Sequence, residues 1–298
     1  MENQKIDIRA LTTLDEMATV ESLQRVLSGD DLSTYHRNQL IAQVRNGALL
    51  LGAYDGDRLV GYLFGYMGME TLDSSRPAMA NLKFASQRMV VLPEYRDRGI
   101  GFELKLAQRQ YAVKQGIRLV TWTFDPLNSR NAHLNIRRLG AIVRDYWRDY
   151  YGTNLSPQVS LGSSDRAIVE WWVTSKRVEQ RINGNRIGLS VEQYTTANAT
   201  ILNPTRVASN GFPQPDGIAA RSAGVVVLIE IPSDYQAIVE GDPDLAWAWR
   251  VHSRDLLQQA LASGYMVTDF VHGSYEGRVR SFYALTYSEV PSSGFSNN

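Results

Sequence analysis

Residues 89–101 read Met89-Val90-Val91-Leu92-Pro93-Glu94-Tyr95-Arg96-Asp97-Arg98-Gly99-Ile100-Gly101. This stretch decides the fold. An apolar run ends at a proline, which cannot extend a strand's hydrogen-bond ladder. A short basic turn follows, and a helical pattern opens at Ile100. The first N–H groups of a helix have no partner inside it, and the positive end of the helix dipole lies among them. Gly99 and Gly101 carry no side chain to keep an anion away. Arg96 and Arg98 add charge. Together these features make a diphosphate cradle, at the kind of strand end where α/β proteins bind ligands. The stretch is not a dinucleotide fingerprint, because Leu104 occupies the third glycine position, and it is not a P-loop, because no Lys-Ser/Thr pair follows. A plain tight turn and a solvated basic surface are the competing readings.

Working outward, residues 81–92 read as one long strand and 100–115 as a helix closed by Gly116. The helical spacing puts Ile100, Leu104, Ala107 and Tyr111 on the buried face and turns Glu103, Lys105, Arg109 and Lys114 away from it. Upstream, 6–10 is a short strand, and 13–27 and 33–45 are helices, the second with Ser33 as cap and Gly47 as stop. The runs 48–54 and 59–66 flank Asp55-Gly56-Asp57, a hairpin signal. Downstream come a strand at 119–124, a helix at 129–139 with Ala132, Ile136 and Leu139 inward, and strands at 141–147 and 167–173. This order predicts an α/β fold, a mixed sheet with helices on both faces. Turn signals at Asn203-Pro204, Asn210-Gly211 and Pro213-Gln214-Pro215 mark 178–224 as a partly irregular connection. Order resumes with a strand at 225–231, a helix at 244–263 capped by Asp242 with Pro243 at its first position, and strands at 266–271 and 279–287. The tail beyond 290 reads as disordered.

Composition narrows the partners. Of 298 residues, 31 are basic and 31 acidic. That balance gives no electrostatic footprint for nucleic acid. No apolar run approaches the ~20 residues that span a bilayer, and the first residues have no signal-peptide core. The expected location is cytoplasmic, with no membrane partner. There is no cysteine, so thiolate nucleophiles and cysteine-held metals are excluded. His36, His133, His252 and His272 are not spaced as ligands, and no metal site is expected.

The pattern Arg96-x-x-Gly99-x-Gly101 after a Val-x-Pro strand end resembles the pyrophosphate motif of the GNAT acetyltransferase superfamily. The similarity covers about residues 6–175. The run Trp122-Thr123-Phe124-Asp125-Pro126-Leu127-Asn128-Ser129-Arg130-Asn131-Ala132, with Tyr150-Tyr151-Gly152 and Asp165-Arg166, is similar to a predicted GNAT group without a settled substrate. The resemblance implies an N-acetyltransferase that uses acetyl-CoA or another acyl-CoA. In it, the amides of Arg98, Gly99, Ile100, Gly101 and Phe102, with Arg96 and Asp97 in the same turn, hold the pyrophosphate. The strand edge Met89, Val90 and Val91 pairs with the pantetheine arm, and Asn128 and Asn131 touch the arm near its sulfur. Helix capping is the plainer reading of those two asparagines.

Catalytic residues are not assigned by the resemblance. The tyrosine that often protonates the leaving thiolate in this family is replaced here by Ile136. Tyr146, Tyr150 and Tyr151 are substitutes by type. Glu70, Asp125 and Glu170 are the candidate bases, since an attacking amine must lose a proton. Ser86 and Gln87, on the long strand, would line the acceptor pocket. Without cysteine, direct transfer in a ternary complex is favoured. The acceptor is expected to be a small molecule. Three readings compete: acyltransferase, non-catalytic acyl-CoA sensor, and interaction protein. The expected domains are 1–177 (GNAT-like), 178–224 (connection), 225–290 and a tail, 291–298. The third repeats the order strand, helix, strand, strand, and so resembles half a GNAT fold. It lacks paired glycines, and its expected role is to cover the acceptor pocket or form a homodimer. Trp247, Trp249, Arg250 and Arg254 form an aromatic and basic stripe there, read first as core.

Overall fold

A computed structural model of the protein describes residues 6–28, 34–70, 81–152, 161, 163–185, 188–216 and 224–288. The chain forms two compact units, residues 1–122 with 172–174 and residues 123–171 with 175–298.

The first unit is a mixed sheet in chain order. β1 (Asp7–Ala10), β2 (Leu49–Asp55), β3 (Arg58–Met69) and β4 (Leu82–Val91) run antiparallel, and β5 (Leu119–Phe124) joins β4 in parallel. The expected hairpin is present. Asp55 pairs with Arg58 across a two-residue turn in which Gly56 has φ 59°, the left-handed geometry such turns require. α1 (Leu14–Ser28) and α2 (Arg37–Arg45) pack together. Gln24 of α1 holds both backbone groups of Tyr35, at 3.0 and 3.1 Å, and the Tyr35 ring meets Phe64 of β3 at 5.2 Å. α3 (Ile100–Lys114) covers the other face, where its Tyr111 meets Phe84 of β4 edge-on at 5.7 Å. Helices therefore lie on both faces, as the pattern predicts. α2 starts later than expected. His36 caps it, its ring accepting from the Asn38 N–H, while Gln39 reaches back to the His36 N–H. Those bonds satisfy the first free amides, so the helix begins at Arg37. Ser33 lies outside the described residues.

The second unit has the strand order β7-β6-β12-β13-β11-β8, antiparallel except for β8 on β11: β6 (Ile142–Trp147), β7 (Arg166–Trp172), β8 (Thr200–Ile201), β11 (Val226–Ile231), β12 (Tyr265–Tyr275) and β13 (Arg278–Tyr287). α4 (Ser129–Ala132) continues as a π-helix over His133–Arg138, with Ala132, Ile136 and Leu139 buried as expected. The segment 178–224 holds more order than its turn signals suggest. α5 (Lys176–Ile182) reaches into it, α6 (Val191–Thr196) follows, and β9 (Thr205–Val207) pairs with β10 (Pro213–Pro215) as a short hairpin. α7 (Tyr235–Gly241), capped by Asp234, was not expected either. α8 (Pro243–Ala262) is capped by Asp242 as expected, and of the face expected inward Trp249, Leu256 and Ala260 are buried while Leu245 is half-buried. The expected disordered tail lies outside the described residues.

The core of this unit is unusually ionic. Asp165 is fully buried and holds Arg254 through both carboxylate oxygens, Tyr146 at 2.5 Å and Ser163 at 2.9 Å. Burial alone would raise its pKa, but the bonds from Arg254, Tyr146, Asp149 and Ser163 keep it below the usual carboxylate value. A lowered folded pKa gives stability that is present above the unfolded value and lost as pH falls. Arg254→Met would strand the carboxylate. The expected cost is about 3–5 kcal/mol, read by urea unfolding at neutral pH, with the deficit shrinking as acid neutralises Asp165.

Candidate active site

The cradle is built by backbone geometry. β4 ends at Val91. The Leu92 N–H donates to Val60 across the sheet, and Pro93–Tyr95 makes one tight turn closed by the Arg96 N–H on Pro93 O at 3.1 Å. Asp97 then adopts φ 61°, and Gly99 caps α3 at φ 81°. The first bond into the helix runs from the Glu103 N–H to Gly99 O at 3.1 Å. Among the described residues, the N–H groups of Arg98, Gly99, Ile100 and Gly101 donate to no protein atom. A Cβ added to Gly99 would meet nothing within 4 Å. Left-handed residues alternating with ordinary ones turn successive amides toward one point, which is how backbone binds anions. The cradle is open, and its chemistry fits a diphosphate.

The turn is braced from the β2–β3 hairpin. The Tyr95 hydroxyl donates to Asp55 at 2.8 Å, Arg58 pairs with Glu94 at 2.7 Å, and Arg98 lies over the Tyr95 ring at 4.8 Å. Arg96 is exposed and its Nε donates to Val91 O at 3.3 Å. Neither Arg96 nor Arg98 forms a salt bridge among the described residues. Phe102 follows in the first turn of α3.

Met89, Val90 and Val91 lie half-buried on a strand that β5 leaves early. β4 pairs with β3 as far as Val91, but with β5 only at Phe84–Val120 and Ala85–Thr121. Opposite β3 the register shifts, Gly65 facing Ser86 and Phe64 facing Arg88, so Gln87 bulges out. Only glycine fits at residue 65, where a Cβ would lie 2.5 Å from Phe84 and 2.6 Å from Ala85 O. The bulge puts Ser86 on the α3 face and Arg88 on the opposite face, where Arg88 lies over Tyr35.

The structure corrects one reading of α3. Its buried residues are Ile100, Leu104, Lys105, Gln108 and Ala112, so Lys105 points inward rather than outward and is only 2% exposed. Its Nζ lies 2.9 Å from Ser86 Oγ, 3.1 Å from Gln108 Oε1 and 3.5 Å from the Trp122 ring centre. Burial holds it well below the ordinary lysine pKa.

The residues named as catalytic candidates all have structural partners. Glu70 is exposed and pairs with Lys83 at 3.0 Å. In the second unit, burial would raise the Asp125 pKa, but Arg250 grips both its oxygens at 2.7 Å and holds it lowered. Burial pushes Tyr146 up, as does the Asp165 carboxylate that its hydroxyl binds. Asn128 Oδ1 accepts from the Asn131 N–H at 3.0 Å, the capping arrangement. Glu170 pairs with Arg144 at 3.5 Å. Tyr150 and Tyr151 are exposed neighbours, their ring centres 4.8 Å apart. Within the tryptophan–arginine stripe, Trp249, Arg250 and Arg254 are core, and Trp247 is 44% exposed.

Residues 14–141 match the acetyltransferase (GNAT) family model. The likeness to that family is one of this stretch, which is under half of the chain. Among solved structures, Arabidopsis thaliana NAA60 in complex with acetyl-CoA aligns at 17% identity and TM-score 0.45, covering 57% of this chain and all of that one. The ribosomal-protein-S18-alanine N-acetyltransferase of Escherichia coli aligns at 16% identity and TM-score 0.43, covering 57% of this chain and 96% of its own. An N-acetyltransferase from Staphylococcus aureus Mu50 aligns at 14% identity and TM-score 0.44, covering 57% and 99%. At such scores these likenesses decide nothing about the site. No curated relative matches the sequence.

Gly99→Ala isolates the cost of the left-handed cap. With open space around the new Cβ, only backbone strain changes, and the expected loss is about 1–2 kcal/mol. Thermal unfolding measures it, and an unchanged midpoint would show that the turn relaxes freely.

Proposed function

We propose that this protein transfers an acetyl or other acyl group from acyl-coenzyme A to a small-molecule acceptor, most simply an amine. The observation that carries the reading is the set of unpartnered amides at Arg98, Gly99, Ile100 and Gly101, inside the stretch that matches the GNAT family model. In this reading those N–H groups, with Phe102, hold the diphosphate at the positive end of α3. Arg96 and Arg98 add screening charge, and Asp97 supplies the left-handed bend. The open edge of Met89, Val90 and Val91 pairs with the pantetheine arm as an added strand would. An amide at the bulge end of that edge polarises the thioester carbonyl as charge builds on its oxygen. The acceptor nitrogen attacks that carbon directly, the carbon–sulfur bond breaks, and coenzyme A leaves as its thiol. Asn128 and Asn131 keep a role near the sulfur only by family resemblance, since their visible bond is a helix cap.

An acyl-CoA part at 1–177, a connection at 178–224 and a C-terminal part at 225–290 belong to this reading, whereas the compact units divide at residue 122. A homodimer built through the C-terminal part and a cytoplasmic setting belong to the same reading. No helix among the described residues is long and apolar enough to cross a membrane. A second reading, a non-catalytic acyl-CoA sensor, is favoured by Ile136, a buried apolar residue where the family often carries its tyrosine acid.

Calorimetric titration with coenzyme A tests the cradle. The wild type should bind, and Gly99→Glu should lose at least ~10-fold in affinity, because a carboxylate in the cradle repels the diphosphate at roughly 1.4 kcal/mol per decade. Equal affinity in the two proteins would remove the cradle from the account. Thiol release on adding an amine panel then separates transferase from sensor.

A further inference from the structure

Lys105 is a buried amine with no anionic partner among the described residues. Taking an ammonium out of water costs several kcal/mol or more unless a carboxylate compensates it. No charged side chain on α3 or on β1 to β5 pairs with Lys105, and the groups facing it are neutral: Ser86 from β4, Gln108 from α3 and Trp122 from β5. Gln108 is itself fully buried, with its Nε2 unpartnered. The burial favours a neutral amine, while the Trp122 face, 3.5 Å away, favours the ammonium. The same geometry accommodates both forms. As an amine, Nζ accepts the Ser86 hydroxyl proton and donates to Gln108 Oε1. As an ammonium, it donates to Ser86, to Gln108 and to the ring. The two states differ by one proton from outside the pair, and the 2.9 Å bond to Ser86 is the path by which it can arrive.

The position is as telling as the chemistry. Ser86 is the first β4 residue beyond the pairing with β5 and the last before the bulge at Gln87. It therefore stands at the inner end of the open edge along which the pantetheine arm is proposed to lie. In the same unit, the candidate base Glu70 is exposed and tied to Lys83.

We propose that Lys105, acting through Ser86, is the proton store of the transfer reaction. As the acceptor nitrogen bonds to the thioester carbon, Ser86 Oγ takes the amine proton and passes its own to Lys105 Nζ. When the carbon–sulfur bond breaks, the path reverses, and the proton ends on the departing sulfur. The products are an amide and the coenzyme A thiol. Lys105 returns to its neutral form, and no further reactant is required. This inference rests on the acyltransferase reading and fills the place left by Ile136.

The test uses the full chain with Lys105→Met, which keeps length and apolarity, and Ser86→Ala. NMR titration of lysine ε-carbons should show one resonance, absent from Lys105→Met, that titrates well below the ordinary lysine value of about 10.4. Folding to a neutral lysine at neutral pH discards a proton that the unfolded chain keeps. The resulting destabilisation is largest at low pH and vanishes above about pH 10.4. Lys105→Met should therefore melt higher than wild type at pH 7, with the gap closing as pH rises. It should bind coenzyme A as the wild type does, while thiol release falls about 100-fold or more, the usual range for a lost acid–base group, and the acid limb of the kcat profile disappears. Ser86→Ala should lower the rate and shift that limb. An ordinary Lys105 titration overturns the proposal. So does a Lys105→Met protein that retains both rate and limb, or a wild type that binds coenzyme A yet releases no thiol. If the wild type fails to bind coenzyme A, the acyl-CoA reading fails first and the relay fails with it.

Discussion

The cradle depends on two residues held in the left-handed region, Asp97 and Gly99. Without them the chain would pass from strand to helix with its amides dispersed. With them, four N–H groups are left unsatisfied together at the positive end of α3. Gly99 takes this conformation at little steric cost, but Asp97 does not, since an L-residue there is strained by roughly 1–2 kcal/mol. The strain is held by the neighbours before it. Tyr95 reaches Asp55, and Glu94 reaches Arg58, so both residues flanking the β2–β3 turn anchor the loop. A tight hairpin thus keeps these amides open at the end of β4.

The same strand divides the chemistry of the unit into two faces. The bulge at Gln87 reverses the alternation of β4, so Ser86 faces Lys105 under α3 while Arg88 faces Tyr35 and Gln24 under α1 and α2. Without the extra residue, Ser86 and Arg88 would share a face. Gly65 permits the arrangement, because β4 passes too close there for any side chain. A cradle of open amides and a kink that turns Ser86 toward Lys105 thus lie along one strand and the turn that ends it.

How much of this could be read from the sequence follows from how local each interaction is. The cradle depends on neighbours in the chain, and the spacing of Arg96, Gly99 and Gly101 displays it directly. The hairpin at Gly56 and the Asp242-Pro243 start of α8 are legible for the same reason. Lys105 was not, because helical periodicity sends a lysine outward unless something distant receives it. Its receivers, Ser86 and Trp122, lie on other strands. The available clue was the interval Lys105, Gln108, Ala112, which repeats with a helical spacing of its own. α2 likewise starts at a histidine cap, a residue type that ranks below serine for that role. α7 is too short to show a period.

The acidic residues make the same point about partners far apart in sequence. Asp125 looked like a base because it follows a strand end, yet it is consumed by Arg250. Asp165 is consumed by Arg254 and Tyr146, Asp269 by Arg137, Arg181 and Tyr194, and Glu230 by Arg280. Their partners hold Asp125, Asp165 and Asp269 below the ordinary aspartate pKa, with lone pairs committed to guanidinium and hydroxyl donors, so these three accept a further proton poorly. Such pairs add little net stability over apolar packing, but they penalise any arrangement that separates them. The second unit therefore spends its acidic groups on defining its own structure. In the first unit, Lys105 faces the neutral groups of Ser86, Gln108 and Trp122, and no carboxylate among the described residues fixes its charge.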